Sequence, residues 1–145
     1  MAQVTLPSGV FLEYESMGNP SNPTMLWIMG FGAQMTAWPD EMLQLYVDAG
    51  FHVVRFDNRD CGLSYKHDGV MVDVGAVTAA AVMGEPPPPV PYTLSDMAAD
   101  AVGVLDDLGI AAAHLVGASL GGLIAQTLAL EFPERALSLT SIMSV

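Results

Sequence analysis

Ala113-His-Leu-Val-Gly-Ala-Ser-Leu-Gly-Gly122 decides how the chain is read. Its first four residues form a short apolar run, as in a strand covered on both faces. From Leu120 the apolar spacing becomes helical and runs to Phe132, where Pro133 stops it. A strand therefore meets a helix at Gly117-Ala-Ser-Leu-Gly121, a G-x-S-x-G pattern. Glycines there allow a sharp turn that side chains would block, and the turn presents the Ser119 hydroxyl at the carboxyl end of a sheet. The Leu120 amide, at a helix N-terminus, faces any oxyanion that develops beside Ser119.

The rest of the chain alternates in the same way. Alternating runs around Pro7-Ser8-Gly9 predict a hairpin over residues 4–14. Thr24-Met-Leu-Trp-Ile-Met29 and His52-Val-Val-Arg-Phe56 predict buried strands. Residues 37–49 carry helical spacing at Trp38, Met42, Leu45, Tyr46 and Ala49, with Pro39 in the first turn and Gly50 as the stop. Thr93-Leu-Ser-Asp96 predicts a helix cap, followed by apolar positions at Met97, Ala101, Val104, Leu105 and Leu108. Residues 137–143 predict a last strand. Strands alternating with helices imply a mostly parallel α/β sheet. Residues 65–91 interrupt the alternation with Gly69, Gly75, Gly84, an apolar centre and four consecutive prolines from Pro86. They read as a stiff excursion over the sheet edge, helical at residues 77–83.

Three features stand in order along the chain: Met29-Gly-Phe-Gly32, Asp57-Asn-Arg-Asp-Cys-Gly-Leu-Ser64 and Val116-Gly-Ala-Ser-Leu-Gly-Gly122. Together they resemble the α/β-hydrolase superfamily. The first corresponds to that family's oxyanion loop, the second to its D-x-R-G-x-G-x-S loop and the third to its nucleophile elbow. Met29-Gly-Phe-Gly-Ala-Gln-Met-Thr-Ala-Trp38 is also similar to a methylesterase-like branch acting on esters of bulky natural products. The resemblance implies Ser119 as nucleophile and the Phe31 and Leu120 amides as oxyanion donors. Met29 replaces a common histidine, and Asp60-Cys61 stands where a glycine is common. The family's order is Ser, then Asp or Glu, then His. Both later partners are expected beyond the sixth strand, so residues 1–145 read as the amino-terminal part of one domain.

Local substitutes for the base are poor. His52 and His114 begin their strands, at the wrong end of the sheet. His67 lies in the excursion with no obvious orienting carboxylate. Asp57 is expected to cap its loop and pair with Arg55 or Arg59. Cys61 is expected to pack rather than react. Gln34 and Trp38 follow the oxyanion loop and are candidate substrate-binding residues, although Trp38 serves equally well as a core anchor.

Composition excludes several classes. Four Lys+Arg against 16 Asp+Glu give a net charge of −12, the wrong sign for a nucleic-acid backbone. Charged residues are 14% and hydrophobic ones 52%, which excludes disorder. One cysteine allows no intrachain disulfide and no cysteine-built metal site. No cofactor motif is present. Residues 110–130 carry no formal charge and reach the ~20 residues of a spanning helix, but their glycines, polar residues and change of period fit strand, turn and helix better. The start lacks the pattern of a secretory leader, so the cytoplasm is the expected compartment. The expected substrate is a small apolar ester, with neither nucleic acid nor membrane as partner. Two readings follow. One is a serine hydrolase of carboxylic esters, incomplete and inactive as this chain alone. The other is a non-catalytic fragment that binds a small ligand or a partner. An apolar last strand predicts self-association through the open sheet edge.

Overall fold

A computed structural model of the chain describes residues 1–144. Six strands form one sheet: β1 (Ala2–Thr5), β2 (Phe11–Met17), β3 (Thr24–Ile28), β4 (His52–Phe56), β5 (Ala113–Ala118) and β6 (Ala136–Ile142). Their spatial order is β1-β2-β4-β3-β5-β6. The β1–β2 and β2–β4 pairs are antiparallel, and β4–β3, β3–β5 and β5–β6 are parallel. The helices are α1 (Asp40–Asp48), α2 (Val74–Met83), α3 (Leu94–Asp107) and α4 (Leu120–Glu131).

The near-continuous apolar runs arise because the central strands are covered on both faces. Leu26, Ile28, Val54 and Phe56 point into one core with Met97, Ala101, Leu105, Ile124 and Leu128 of α3 and α4. Trp27, Val53 and Val116 point the other way, into a smaller core with Trp38 and Leu43. Alternate residues of one strand thus serve two layers. No helix among the described residues is long and apolar enough to cross a membrane. The last strand lies at a sheet edge, with Leu137 and Leu139 exposed.

Helix boundaries differ from the sequence expectation in two places. The first helix begins at Asp40 rather than at residue 37, and residues Met35–Ala37 form a short 3-10 turn. Trp38 precedes proline and is extended, with ψ 112°, because the proline ring disfavours helical geometry at that position. Pro39 accordingly sits at the N-cap. The excursion helix α2 begins three residues earlier than residue 77, because the Asp73 carboxylate caps the Ala76 amide. Gly84, in the left-handed region, closes it. At α3 the expected cap is present in full: Thr93 and Asp96 accept from each other's amides.

Candidate active site

Ser119 occupies the junction of β5 and α4 with φ 53° and ψ −121°. A non-glycine residue at positive φ is strained, and such strain persists only where its surroundings over-determine it. Here they do. The Ser119 amide donates to the Ile142 carbonyl at 2.8 Å. Its own carbonyl accepts from the Gly122 and Leu123 amides at 2.9 and 3.3 Å, and from the Ser144 hydroxyl. A Cβ on Gly117 would overlap the Gly121 carbonyl, and a Cβ on Gly121 would overlap the Ile28 carbonyl. The elbow therefore closes only with glycine at both positions. The Ser119 side chain stands exposed at the end of the sheet.

The loop after β3 meets this turn. A Cβ on Gly30 would lie 3.1 Å from the Ser119 Cβ and 3.7 Å from its Oγ. Phe31 follows, 89% exposed. The Phe31 and Leu120 amides have no hydrogen-bond acceptor among the described residues. Both residues line one cavity of about 390 Å³, together with Gly30, Arg59, Asp60, Cys61, Tyr92, Leu94 and Met97. The structure thus brings Ser119, Phe31 and Leu120 together. It leaves Gln34 and Trp38 outside the cavity. Trp38 is buried edge-on against Trp27, with ring centroids 4.9 Å apart, in the core beneath α1. Gln34 is exposed beside the 3-10 turn.

The loop after β4 holds the loop after β3 in place. Asp57 does not pair with Arg55 or Arg59. Its carboxylate accepts from the Met35 amide at 2.7 Å and the Leu63 amide at 3.0 Å. Asn58 donates from Nδ2 to the Met29 carbonyl at 2.8 Å. The two arginines are taken elsewhere: Arg55 by Glu15 and Asp40, and Arg59 by Asp100 in a buried two-point pair. Cys61 is buried and donates to the Ala33 carbonyl. Burial, then the Asp57 charge, push its thiol up from the ordinary value.

His67 does have a carboxylate beside it, contrary to the expectation from sequence. Its Nδ1 lies 3.5 Å from Asp60 Oδ2, and its ring packs against Tyr65 and Tyr92. It makes no hydrogen bond to Ser119. His52 bonds Thr24 and His114 bonds Ser138, both at the amino end of their strands. The sequence reading missed Asp60, Tyr92, Leu94 and Met97 as cavity residues. The excursion carries Tyr92 back to the cavity rim, which no local pattern encodes.

Residues 23–145 match the family described as alpha/beta hydrolase fold. The chain belongs to that family. It is 39% identical over 131 residues to rhodomycin D methylesterase DnrP of Streptomyces peucetius, covering 90% of this chain and 38% of that protein. The crystal structure of the enol-lactonase from Burkholderia xenovorans LB400 superposes with TM-score 0.70 and 25% identity, over 93% of this chain and 44% of that one. Epoxide hydrolase A from Mycobacterium thermoresistibile superposes with TM-score 0.74 and 26% identity, over 97% of this chain and 38% of that one. The chain therefore spans about two fifths of the length of these relatives. The match to the methylesterase agrees with the branch suggested by residues 29–38. Relatives of this kind support ester hydrolysis as the general chemistry.

Proposed function

We propose that the chain supplies the nucleophile and oxyanion hole of a hydrolase that cleaves small apolar carboxylic esters. The observation that carries this reading is the placement of Ser119 at positive φ, against Gly30, beside a cavity that Phe31 and Leu120 both line. In this reading the Ser119 Oγ attacks the acyl carbon. The carbonyl oxygen gains charge between the two uncommitted amides, which cost no reorganisation at that moment. The apolar wall of Phe31, Leu94, Met97 and Leu120 takes the hydrocarbon part of the ester. Named relatives that are a methylesterase and an enol-lactonase support an ester or lactone substrate.

A serine hydroxyl is a weak nucleophile without a base. None of the three histidines in residues 1–144 bonds Ser119. We therefore place the base and its carboxylate outside these residues, and propose that residues 1–145 alone do not turn over.

The test compares residues 1–145 with the native gene product that carries them, using a p-nitrophenyl ester and a fluorophosphonate. Turnover and labelling are expected only in the native product, and Ser119→Ala should abolish both. Ester turnover that survives Ser119→Ala would overturn the assignment of the nucleophile. Strong labelling of Ser119 in residues 1–145 would show that a base is already present and point to His67.

A further inference from the structure

The loop after β4 departs from the glycine of its pattern at residue 60, and the structure shows the consequence. Asp60 has φ 63°, a conformation that glycine adopts freely and aspartate rarely does. Its carboxylate is 37% exposed. The residue lines the cavity beside Ser119 and also a second cavity under the excursion, with His67, Val70 and Tyr92. Each carboxylate oxygen accepts one bond: Oδ1 from the His67 amide and Oδ2 from the Tyr92 hydroxyl, both at 2.7 Å. A carboxylate has about four acceptor sites, so half of its capacity stays open. Burial works against the charge. The His67 amide, the Tyr92 hydroxyl and the His67 ring outweigh it and hold the Asp60 carboxyl below the usual carboxylate range.

Among the described residues no lysine or arginine is free to cancel that charge, and the nearest basic group is the His67 ring, with Nδ1 3.5 Å from Oδ2. The sequence has four Lys and Arg residues in all. Arg55 is bound to Glu15 and Asp40. Arg59 reaches the cavity wall, but its guanidinium is committed to Asp100 at two 2.7 Å contacts. Lys66 points its ammonium at the Cys61, Gly62 and Ser64 carbonyls. Arg135 is held by Asp106 and the Ala111 and Ile110 carbonyls. Much of the remaining wall is apolar, and apolar walls focus the field of a fixed charge into a cavity.

We propose that Asp60 is a specificity-determining residue that makes this cavity favour cationic and neutral ligands over anionic ones. The inference rests on the ester-hydrolase reading, for which it names the substrate class: esters carrying a basic or uncharged group, not a free acid. An anionic group entering here would lose hydration and meet a carboxylate with no free lysine or arginine beside it. A basic group would meet two open acceptor sites.

Binding to the native gene product tests this separately from turnover. Three matched, unreactive aryl amides serve as probes, bearing a para trimethylammonium, tert-butyl or carboxylate group. The three probes are compared by calorimetry at pH 8. For a part-exposed charge, the cationic probe should bind about fivefold tighter than the anionic one, with the neutral probe between them. Asp60→Asn should bring that ratio to about one while leaving the neutral probe unchanged; 0.5 M salt should compress it. Asp60→Gly, which suits the positive φ, provides a second variant if the first folds poorly. An anionic probe that binds as well as the cation, a ratio unmoved by both variants, or no binding by any probe would each overturn the proposal. Ester turnover lost with the charge preference intact would overturn the hydrolase reading instead.

Discussion

Gly121 packs its Cα directly against the backbone carbonyl of Ile28, so that a Cβ on residue 121 would overlap that carbonyl. The turn that carries Ser119 is thus fixed against β3, the strand that leads into the Gly30-Phe-Gly32 loop. Gly121→Ala has no flexible side chain to push aside. It must move α4 away from the sheet, at a cost of about 1–3 kcal/mol or more. The expected result, in the native gene product, is a lower urea midpoint together with loss of Ser119 labelling. A variant with unchanged midpoint and labelling would refute the packing argument.

Arg59 and Asp100 close a buried pair with side chains only 6% and 4% exposed. Asp100→Ala leaves the guanidinium buried without a partner, which typically costs about 3–5 kcal/mol. Replacing both partners by apolar residues should cost much less, because no orphan charge remains. Denaturant unfolding of both single variants and the double variant measures the coupling. Equal costs for the single and double variants would show that the charge, once orphaned, finds water.

His52 is buried at 1% exposure and bonds Thr24 at 3.1 Å. Burial lowers its pKa from the ordinary 6.5. The folded state therefore binds this proton less readily than the unfolded state. The associated stability is fully present above the unfolded value and is lost as pH falls through the depressed folded value. One group contributes a slope of at most about 1.4 kcal/mol per pH unit. Unfolding free energy should decline below pH 6.5, and His52→Gln should flatten that decline. Parallel curves for the two proteins would assign the slope to other groups.

Much of this architecture was readable from the residues. Leu26, Trp27 and Ile28 read as one buried run because they serve two cores on opposite faces. Gly117 and Gly121 announced the turn because only glycine closes it. The partners of Asp57 were not readable. The Met35 amide lies 22 residues away, and a local pairing with Arg55 or Arg59 gave way to contacts made by the sheet order. Trp38 read equally well as a pocket residue or a core anchor; the residue before Pro39 is extended, and its ring turns into the core. Tyr92 drew no reading of its own, since its place beside Asp60 depends on the path of the whole excursion.

Asn58 provides the last prediction. It is buried, and its amide donates to the Met29 carbonyl, one residue before Gly30. That bond fixes the peptide run that ends in the Phe31 amide. Asn58 lines the cavity, yet its hydrogen bond goes to the loop, so under the proposed function it is a positioning residue. Asn58→Leu fills similar volume and removes the donor, leaving the Met29 carbonyl without that partner. Loss of one oxyanion donor costs about 10²–10³ in kcat; a displaced donor should cost less, about tenfold. The fall should appear in kcat with KM little changed, since the bond acts on charge that develops in the transition state. Asn58→Gln, which keeps an amide donor, should recover part of the rate. Steady-state kinetics of the native gene product on a p-nitrophenyl ester separates the two constants. A rise in KM at constant kcat would place Asn58 in ground-state binding and remove it from support of the oxyanion loop.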